Sequence, residues 1–350
     1  MQSTAGRRAK SREQALALLR RNSGTLGHWT TWRGNYYWIN AAGDLVVAYR
    51  VIRGVALALT EPITHREIRP ADIMEFAGFC QEHRWTPAFY AVQDDSLALF
   101  HRLNWHTLAV GQEALIETAD FNLSESNWQK VRHAHNRAER NSVEARWVSW
   151  RELSVFQHAQ IRNLSSHWES RKRLPRLGFT LGGVRELADP EVRLMIGITA
   201  DGEIQAVTSW LPIYRDGKLI GRTLDLMRRS PHSFNGINEF LIGSVAALLR
   251  SEGQGLMSLS GVPFAGNLTE DAEIGSLLPR LVYWLLASRL EVLYGFENLY
   301  NYKLKFNPAL RTIHLVFPSQ SQLPRIALAV AKAYLPSLGL AEMLAMLMRG

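Results

Sequence analysis

Strand patterns and helical patterns alternate along the whole chain, and this alternation constrains the fold more than any other feature. Apolar runs bounded by turn residues predict strands over Leu45–Val51, Val55–Leu59 and Pro87–Val92. Apolar residues at helical spacing predict helices over Pro70–Arg84 and Gly236–Glu252. Strands and helices mixed in this way are typical of the α/β class, in which helices cover mixed sheets.

The order of elements indicates two domains followed by a helix. The chain has 350 residues, which is long enough for two domains. The kinds of element found in residues 1–120 recur in residues 121–320, without a repeat of fixed period. We therefore predict an N-terminal domain over residues 1–120 and a C-terminal domain over residues 121–320. Residues 321–350 are predicted as an amphipathic helix, kinked at Pro336.

Positive charge is concentrated in three clusters. The formal net charge is +8, which bears on binding partners and not on the fold. Each cluster alone could be a solvated helix face, but three together indicate a polyanionic partner, either nucleic acid, anionic lipid or both. The clusters are Arg7, Arg8, Lys10, Arg12, Arg20 and Arg21; Lys130, Arg132, Arg137 and Arg140; and Arg162, Arg171, Lys172, Arg173 and Arg176.

The apolar stretches allow contact with a membrane but predict no crossing of it, and for the tail helix packing in the core is favoured over contact with a bilayer. The two most apolar ones are Leu281–Leu290 and Ile326–Met348. Neither provides the roughly 20 uninterrupted apolar residues that a span requires. No signal-peptide pattern follows the basic head, and a single cysteine, Cys80, fits a reducing cytoplasm. The predicted location is cytoplasmic, peripheral at the inner face of the cell membrane.

One segment spells a coenzyme A signature in the wrong structural setting. Arg250–Gly255 matches R-x-x-G-x-G, a loop that holds a pyrophosphate when it follows a strand and opens a helix. Here it follows a predicted helix and precedes a predicted strand, which favours an ordinary glycine helix end. The match therefore does not indicate coenzyme A. The sequence also lacks a P-loop, a nucleophile elbow, a dinucleotide fingerprint and a zinc-protease motif, so nothing indicates ATP, NAD or a metal.

A polar helix is predicted over Trp128–Asn141, with basic residues on one side. Positions three and four apart share a helix face, so Arg132, Asn136 and Arg140 form one stripe. Asn136, Arg137 and Arg140 are candidate substrate-binding residues. The alternative is a solvated face.

Asp225 and Arg228 lie at the end of a predicted strand and could both reach into a cleft. A carboxylate there could hold a substrate ammonium group, and an arginine could hold a phosphate or a developing oxyanion. The alternative is a structural ion pair.

The segment Tyr302–Pro308 carries two lysines at alternate positions. If the segment is extended, Lys303 and Lys305 point to the same side. Two cations on one face indicate an anion partner, although a solvated edge is the alternative.

Taken together, these segments resemble the catalytic domain of the phosphatidylglycerol lysyltransferase family, the aminoacyl-phosphatidylglycerol synthases. The resemblance covers nearly the whole chain and rests on the order and spacing of seven segments. They are Trp85–Tyr90, Val110–Ala114, Lys130–Arg140, Gly178–Gly182, Asp225–Arg228, Asn235–Leu241 and Tyr302–Pro308.

The resemblance implies two acetyltransferase-like (GNAT-type) domains in tandem, with the active site in a tunnel between an aminoacyl-tRNA entrance and a lipid entrance. It assigns Asp225 and Arg228 to the amino-acid end, and Lys303 and Lys305 to the basic pair of the C-terminal motif. The second lysine is a mild departure, because relatives can carry arginine there. Glu239, in the sixth segment, is a further candidate for substrate binding.

Two other departures concern specificity and membrane attachment. The family usually has an acidic residue shortly before its G-F-S-L-G segment, where this chain has Leu174–Leu177. Most relatives also carry an N-terminal membrane-spanning region, so this chain is expected to be either a naturally soluble member or a separate domain.

The expected reaction moves an amino acid, lysine or alanine, from tRNA to the hydroxyl of a membrane lipid such as phosphatidylglycerol. Because one ester replaces another, no cofactor is expected, and catalysis depends on positioning and on stabilising the oxyanion. Asp225 would bind the α-ammonium group, and Arg228, Lys303 and Lys305 the phosphate or oxyanion. The general base is not identified, and the amine of the substrate could serve. The alternatives are an acyl-CoA-dependent N-acyltransferase of the same fold and a basic adaptor without enzymatic activity.

Overall fold

The computed structural model describes residues 4–171, 178–263 and 295–335. The apolar stretch Leu281–Leu290, the basic residues 172–176 and the tail beyond residue 335 lie outside the described residues.

The helices and strands follow the predicted order closely, and three elements were missed. The strands β4 (Ile63–Thr64) and β7 (Val143–Val148) and the helix α7 (Phe296–Leu304) were not predicted. The helices are α1 Thr4–Leu19, α2 Pro70–Glu82, α3 Leu97–His101, α4 Gln129–Arg140, α5 Val155–Arg171, α6 Ile237–Ser251, α7 Phe296–Leu304 and α8 Leu323–Tyr334. The other strands are β1 Tyr36–Ile39, β2 Leu45–Ile52, β3 Val55–Leu59, β5 Thr86–Gln93, β6 His106–Glu117, β8 Arg193–Thr199, β9 Ile204–Arg215, β10 Lys218–Arg229, β11 Leu256–Pro263 and β12 Ala309–Phe317.

The strands of the described residues form one mixed sheet. Their order is β1-β2-β3-β5-β12-β6-β11-β10-β9-β8-β7, and β4 pairs with β2. Most pairs are antiparallel, whereas β3 with β5 and β10 with β11 are parallel. This confirms the predicted α/β class with a mixed sheet flanked by helices. Strand β12, from the predicted second domain, lies between two strands of the predicted first domain, and the boundary at residue 120 stays a prediction.

Helices cover the sheet and form several apolar cores. Helix α2 packs with Phe76 in a core that includes Phe89 of β5. Helices α4 and α6 pack on a core that includes Trp210 of β9, a side chain that is fully buried.

The described part of the tail forms α8, which belongs to the protein core. Ile326 and Val330 are buried there, together with Leu335 just beyond the helix. These residues therefore pack in the core, which was the outcome favoured for the tail, and they are not presented to a bilayer. Among the described helices, none combines the length and the apolar character that a membrane span requires.

The central parallel pair, β10 and β11, determines where a cleft can form. The paired part is short: Gly221–Thr223 of β10 pair with Leu256–Ser258 of β11. A Cβ atom on Gly221 would lie 1.8 Å from the carbonyl oxygen of Leu256, so this close approach requires glycine. Beyond Thr223 the strands separate, and each has an irregular register with its outer neighbour at this level. Such irregularities redirect side chains, often beside active sites.

The R-x-x-G-x-G segment has the structure that the helix-end interpretation predicts. Helix α6 ends at Ser251, and Gly253 adopts a left-handed conformation with φ of 70°. Strand β11 begins directly afterwards, at Leu256. The segment therefore follows a helix and opens a strand, which is the reverse of a pyrophosphate-binding loop.

Candidate active site

A cleft of about 540 Å³ opens where β10 and β11 separate. It brings together residues from α5, the segment after residue 178, β10, the start of α6, β11 and α7. The lining residues are Trp168, Glu169, Leu181, Gly182, Leu224, Asp225, Leu226, Met227, Arg228, Arg229, Asn238, Leu259, Ser260, Gly261, Gly295, Phe296, Asn298, Leu299 and Lys303. Three of the four residues predicted as catalytic, Asp225, Arg228 and Lys303, thus lie in one cleft.

Asp225 is held by the backbone of a distant segment. Its Oδ1 accepts a hydrogen bond from the Gly182 N–H at 2.9 Å. Burial raises the pKa of the Asp225 carboxyl to about 6, against the opposing effect of the Gly182 N–H and of the Arg228 charge. A carboxylate with so little hydration is well suited to receive a cationic group of a ligand.

Arg228 lies three residues further along β10. Its guanidinium carbon is 3.8 Å from the centre of the Trp168 ring, which is a close cation–π contact. Its Nη1 donates a hydrogen bond to the carbonyl oxygen of Met227 at 2.7 Å. These contacts orient a planar cation at the wall of the cleft, where it can bind a phosphate or an oxyanion.

Lys303 lies in a helix, and the prediction of an extended segment around it was wrong. Residues 296–304 form α7, and Lys305 follows directly as its C-cap residue, so Lys303 and Lys305 point in different directions. Lysines at alternate positions are compatible with both a helix and an extended segment, so their spacing alone could not distinguish the two. The Nζ of Lys303 is buried and donates to the carbonyl oxygens of Ser260 at 2.9 Å and Gly261 at 3.3 Å. Burial lowers the pKa of Lys303 to about 7.

Lys305 and Glu239 form an ion pair beside the cleft. Lys305 follows α7, and its Nζ lies 3.0 Å from the Oε1 of Glu239 in the first turn of α6. Neither residue is among those that line the cleft. Their neighbour Asn238 does line it. The ion pair therefore connects the end of α7 to the turn that positions Asn238.

The predicted basic helix is α4, and its candidate residues lie outside the cleft. Asn136, Arg137 and Arg140 are exposed. Arg137 donates to the carbonyl oxygen of Asn235 at 2.8 Å and so connects α4 to the turn before α6. Arg140 donates to the carbonyl oxygen of Asn136 within its own helix. The structure thus leaves these three residues on a solvent-facing helix that is linked to the wall of the cleft.

Sequence reasoning missed several residues that shape the cleft. Gly182 was quoted only as part of a motif, although its N–H holds Asp225. Trp168 and Asn238 line the cleft without having been singled out. Ser260 has φ of 71°, which is unusual for a residue other than glycine, and it turns its carbonyl oxygen toward Lys303. The family motif at Gly178–Gly182 could have drawn attention to Gly182. The carbonyl oxygen of Ser260 belongs to the backbone, so no pattern of side chains in the sequence indicates its role as an acceptor.

Comparison with known proteins places the chain in a family. A family model described as phosphatidylglycerol lysyltransferase, C-terminal, matches residues 16–317. An uncharacterized protein of Corynebacterium glutamicum is 37% identical over 332 residues, covering 93% of this chain and 41% of the relative. The lysylphosphatidylglycerol biosynthesis bifunctional protein LysX of Nocardia farcinica is 30% identical over 323 residues, covering 90% of this chain and 28% of the relative. The chain therefore spans less than half the length of these relatives.

Solved structures share the fold. The structure of L-PGS from Bacillus licheniformis superposes with a TM-score of 0.78 at 21% identity, covering 92% of this chain and 96% of that one. The C-terminal domain of a putative lysylphosphatidylglycerol synthetase from Agrobacterium fabrum gives 0.80 at 18% identity, covering 95% of this chain and 99% of that one.

These findings define the class as an α/β domain with the fold of these two solved structures. More particularly, the chain belongs to the family of phosphatidylglycerol lysyltransferase C-terminal domains, as its sequence motifs predicted.

Proposed function

We propose that this domain transfers an amino acid from aminoacyl-tRNA to the hydroxyl group of a membrane lipid, with phosphatidylglycerol as the acceptor and lysine or alanine as the amino acid. The observation that carries the proposal is the convergence of Asp225, Arg228 and Lys303 on one cleft. The family and the names of the relatives support a lipid acceptor and an aminoacyl group. An ester is exchanged for an ester, so the reaction needs no added energy source.

Three charged residues in or beside the cleft have proposed tasks in this reaction. Asp225 binds the α-ammonium group of the amino acid, because a desolvated carboxylate pairs strongly with a cation. Arg228 binds the lipid phosphate or the oxyanion that forms when the ester carbonyl is attacked. The sequence motif assigns Lys305 to the same anion. Its pairing with Glu239 favours a positioning role at the start of α6 instead.

The proposal puts the enzyme at the inner face of the cell membrane, where both substrates can be reached. A net charge of +8 favours association with anionic lipid and with tRNA. Contact with the membrane is peripheral in this proposal.

A direct assay tests the proposed function. The purified protein is incubated with lysyl-tRNA or alanyl-tRNA and with vesicles of phosphatidylglycerol, and the extracted lipid is analysed by mass spectrometry. We expect phosphatidylglycerol with the added mass of one aminoacyl group, and none with vesicles of phosphatidylcholine alone, which has no free hydroxyl. Transfer of an acetyl group from acetyl-CoA to an added amine, with no aminoacylated lipid formed from charged tRNA, would contradict the proposal and support the N-acyltransferase alternative.

Charge reversal at Arg140 should weaken the binding of charged tRNA without slowing the transfer step. Arg140 is exposed on α4 and donates only within its helix, so Arg140→Glu changes charge without removing a tertiary interaction. We expect a several-fold higher KM for charged tRNA. The slope of its log–log salt dependence should fall by about 0.9 for each phosphate that the variant no longer neutralises. Steady-state kinetics from 50 to 200 mM salt, the range over which phosphate binding responds strongly, would measure both effects.

Two comparisons make this result specific. Arg102→Glu makes the same change on another exposed residue, at the end of α3, and should leave KM unchanged. Turnover of a minimal aminoacyl ester should be unaffected by Arg140→Glu, because contacts remote from the reacting bond act first on association. An equal loss with both substrates would mean that α4 has a structural role only.

A further inference from the structure

Lys303 is a buried amine whose hydrogen-bond acceptors are backbone carbonyls. Its side chain lines the cleft, and the residue is only 3% exposed. Within the described ranges its Nζ donates to Ser260 and Gly261 and has no carboxylate within ion-pair distance. A lysine in a purely structural role would be expected to reach water or a carboxylate, because burying an unpaired ammonium is costly.

The charged groups around Lys303 do not provide a strong counter-charge. Glu113 on β6 attracts the ammonium form, but the carboxyl is occupied by Ser258 at 2.6 Å and Thr25 at 2.9 Å. Burial raises the pKa of Glu113 as well, which weakens its negative charge. The lining of the cleft also contains two carboxyl groups, Glu169 and Asp225, and two arginines, Arg228 and Arg229. Desolvation therefore dominates and lowers the pKa of Lys303 to about 7.

The local backbone is shaped to hold this amine. The register of β11 against β6 shifts between Ser258 and Gly261, and Ser260 takes a left-handed conformation within that shift. As a result, two successive carbonyl oxygens accept from the same Nζ. A neutral amine has two N–H bonds and one lone pair, so two carbonyls account for both hydrogens. The lone pair then occupies the third position, which a group bound in the cleft can reach.

We propose that Lys303 acts as the general base, and then the general acid, of the transfer reaction. The inference rests on the proposed function and names the group that moves the proton. The Nζ lone pair takes the proton of the acceptor hydroxyl as its oxygen forms a bond to the ester carbonyl carbon. The tetrahedral intermediate then collapses, the bond to the leaving ribose oxygen breaks, and Nζ returns the proton to that oxygen. No proton or electron pair is left over.

Three other groups could act as the base, and the structure favours none of them. Asp225 must stay ionised to pair with the α-ammonium group, and its Oδ1 is engaged by Gly182. The α-amine of the substrate is held as an ammonium by the same carboxylate in the proposed complex, which removes its lone pair. Among the described residues that line the cleft, Glu169 is only partly buried, whereas Lys303 is a fully buried titratable side chain that has a lone pair near neutral pH.

Two substitutions at Lys303 test the proposal through the pH profile of kcat/KM. Lys303→Arg keeps a cation and its donors but cannot lose a proton near neutral pH. Lys303→Met keeps the length and removes the amine. We expect both to lower kcat by about 100- to 10,000-fold and to abolish the rise of activity around pH 7. In Lys303→Arg, the separate rise of kcat/KM near pH 6, which reflects the ionisation of Asp225, should remain.

Rescue of activity by an added amine distinguishes a catalytic role of Lys303 from a structural one, because an amine in solution would not repair a structural defect. With Lys303→Ala, added methylamine or ethylamine should restore activity in proportion to the free-base concentration. Lys218→Met, at the exposed start of β10, controls for loss of a lysine and should keep the wild-type profile. If Lys303→Arg retains the rise near pH 7, the base is another group and the inference is overturned.

A fold control separates loss of chemistry from loss of structure. Because the folded pKa of Lys303 lies below its unfolded value of about 10.5, the unfolded chain binds more protons between these values. The buried amine therefore destabilises the protein most at low pH, and its cost disappears as pH rises toward 10. Lys303→Met should raise Tm at pH 6 and have little effect near pH 10. An inactive variant with a lower Tm at pH 6 would overturn the inference.

The inference and the proposed function fail in different ways. If the wild-type protein forms no aminoacylated lipid, the proposed function is wrong, and the inference falls with it. If the wild-type protein forms the product and both Lys303 variants keep its pH profile, only the inference is wrong.

Discussion

Replacing Asp225 by asparagine is expected to lower kcat/KM for charged tRNA by about 100- to 1,000-fold. The change keeps the shape of the side chain and an oxygen that can accept from Gly182. It removes the charge that pairs with the substrate ammonium in the proposed complex. Removing one partner of a buried charge pair costs about 2–5 kcal/mol, since the other charge is left desolvated. Steady-state kinetics at pH 7.5 would measure the loss.

The same substitution should make the protein more stable at neutral pH. Burial raises the pKa of Asp225 from 3.8 to about 6, so the folded chain binds more protons than the unfolded chain between these values. Stability contributed by this group is therefore present below pH 4 and is lost as pH rises through 6. Asparagine does not titrate, and one pKa unit corresponds to about 1.4 kcal/mol. We expect a gain in unfolding free energy on the order of 1–3 kcal/mol at pH 7 and almost none at pH 4.

Asp120→Asn makes the same chemical change on an exposed carboxylate and should alter neither activity nor stability. A loss of both activity and stability in Asp225→Asn would indicate a structural ion pair, which was the alternative explanation of this segment. Gain of stability with loss of activity is the combination expected of a functional site, where a desolvated charge is kept at a cost to the fold.

Local sequence patterns were enough to predict most elements and the class of the fold. Apolar periodicity depends on neighbours along the chain, so α6 was predicted to within one residue at each end. Strand β7 was missed, although Val143, Ala145 and Trp147 alternate with charged residues. The position of β12 between β5 and β6 was beyond prediction, because strand order depends on pairing between distant segments.

The residues of the cleft were also predicted only in part, because residue types can be recognised in the sequence whereas contacts between distant segments cannot. Motifs identified Asp225, Arg228 and Lys303 through residue types that suit anions and cations. The motif around Lys305 did not indicate whether the segment is a helix or a strand, and only the helix directs Lys305 toward Glu239. The depressed pKa of Lys303 follows from its burial, and its hydrogen-bond acceptors are backbone carbonyls; no side-chain pattern encodes either feature.

Replacing Gly182 by alanine should reduce activity about 100-fold while leaving the fold intact. A Cβ atom on Gly182 would lie 2.0 Å from Oδ2 of Asp225 and 2.9 Å from its Cγ, so the carboxylate must move. Rotation of a short side chain relieves the clash at little cost to stability. It also withdraws Oδ1 from the Gly182 N–H and moves the charge away from the ammonium. A displacement of about 1 Å in a positioned group can cost on the order of 100-fold in rate.

A double-mutant cycle decides whether Gly182 acts through Asp225. Two substitutions that damage one interaction are not additive, so Gly182→Ala combined with Asp225→Asn should be no less active than Asp225→Asn alone. Gly255→Ala is the matched control, because no atom lies within 4 Å of the added Cβ atom, and it should keep full activity. Additive losses in the cycle would mean that the alanine methyl group blocks the cleft directly. Wild-type activity in Gly182→Ala would show that the position of the Asp225 carboxylate does not matter, which would remove the basis for pairing it with the substrate ammonium.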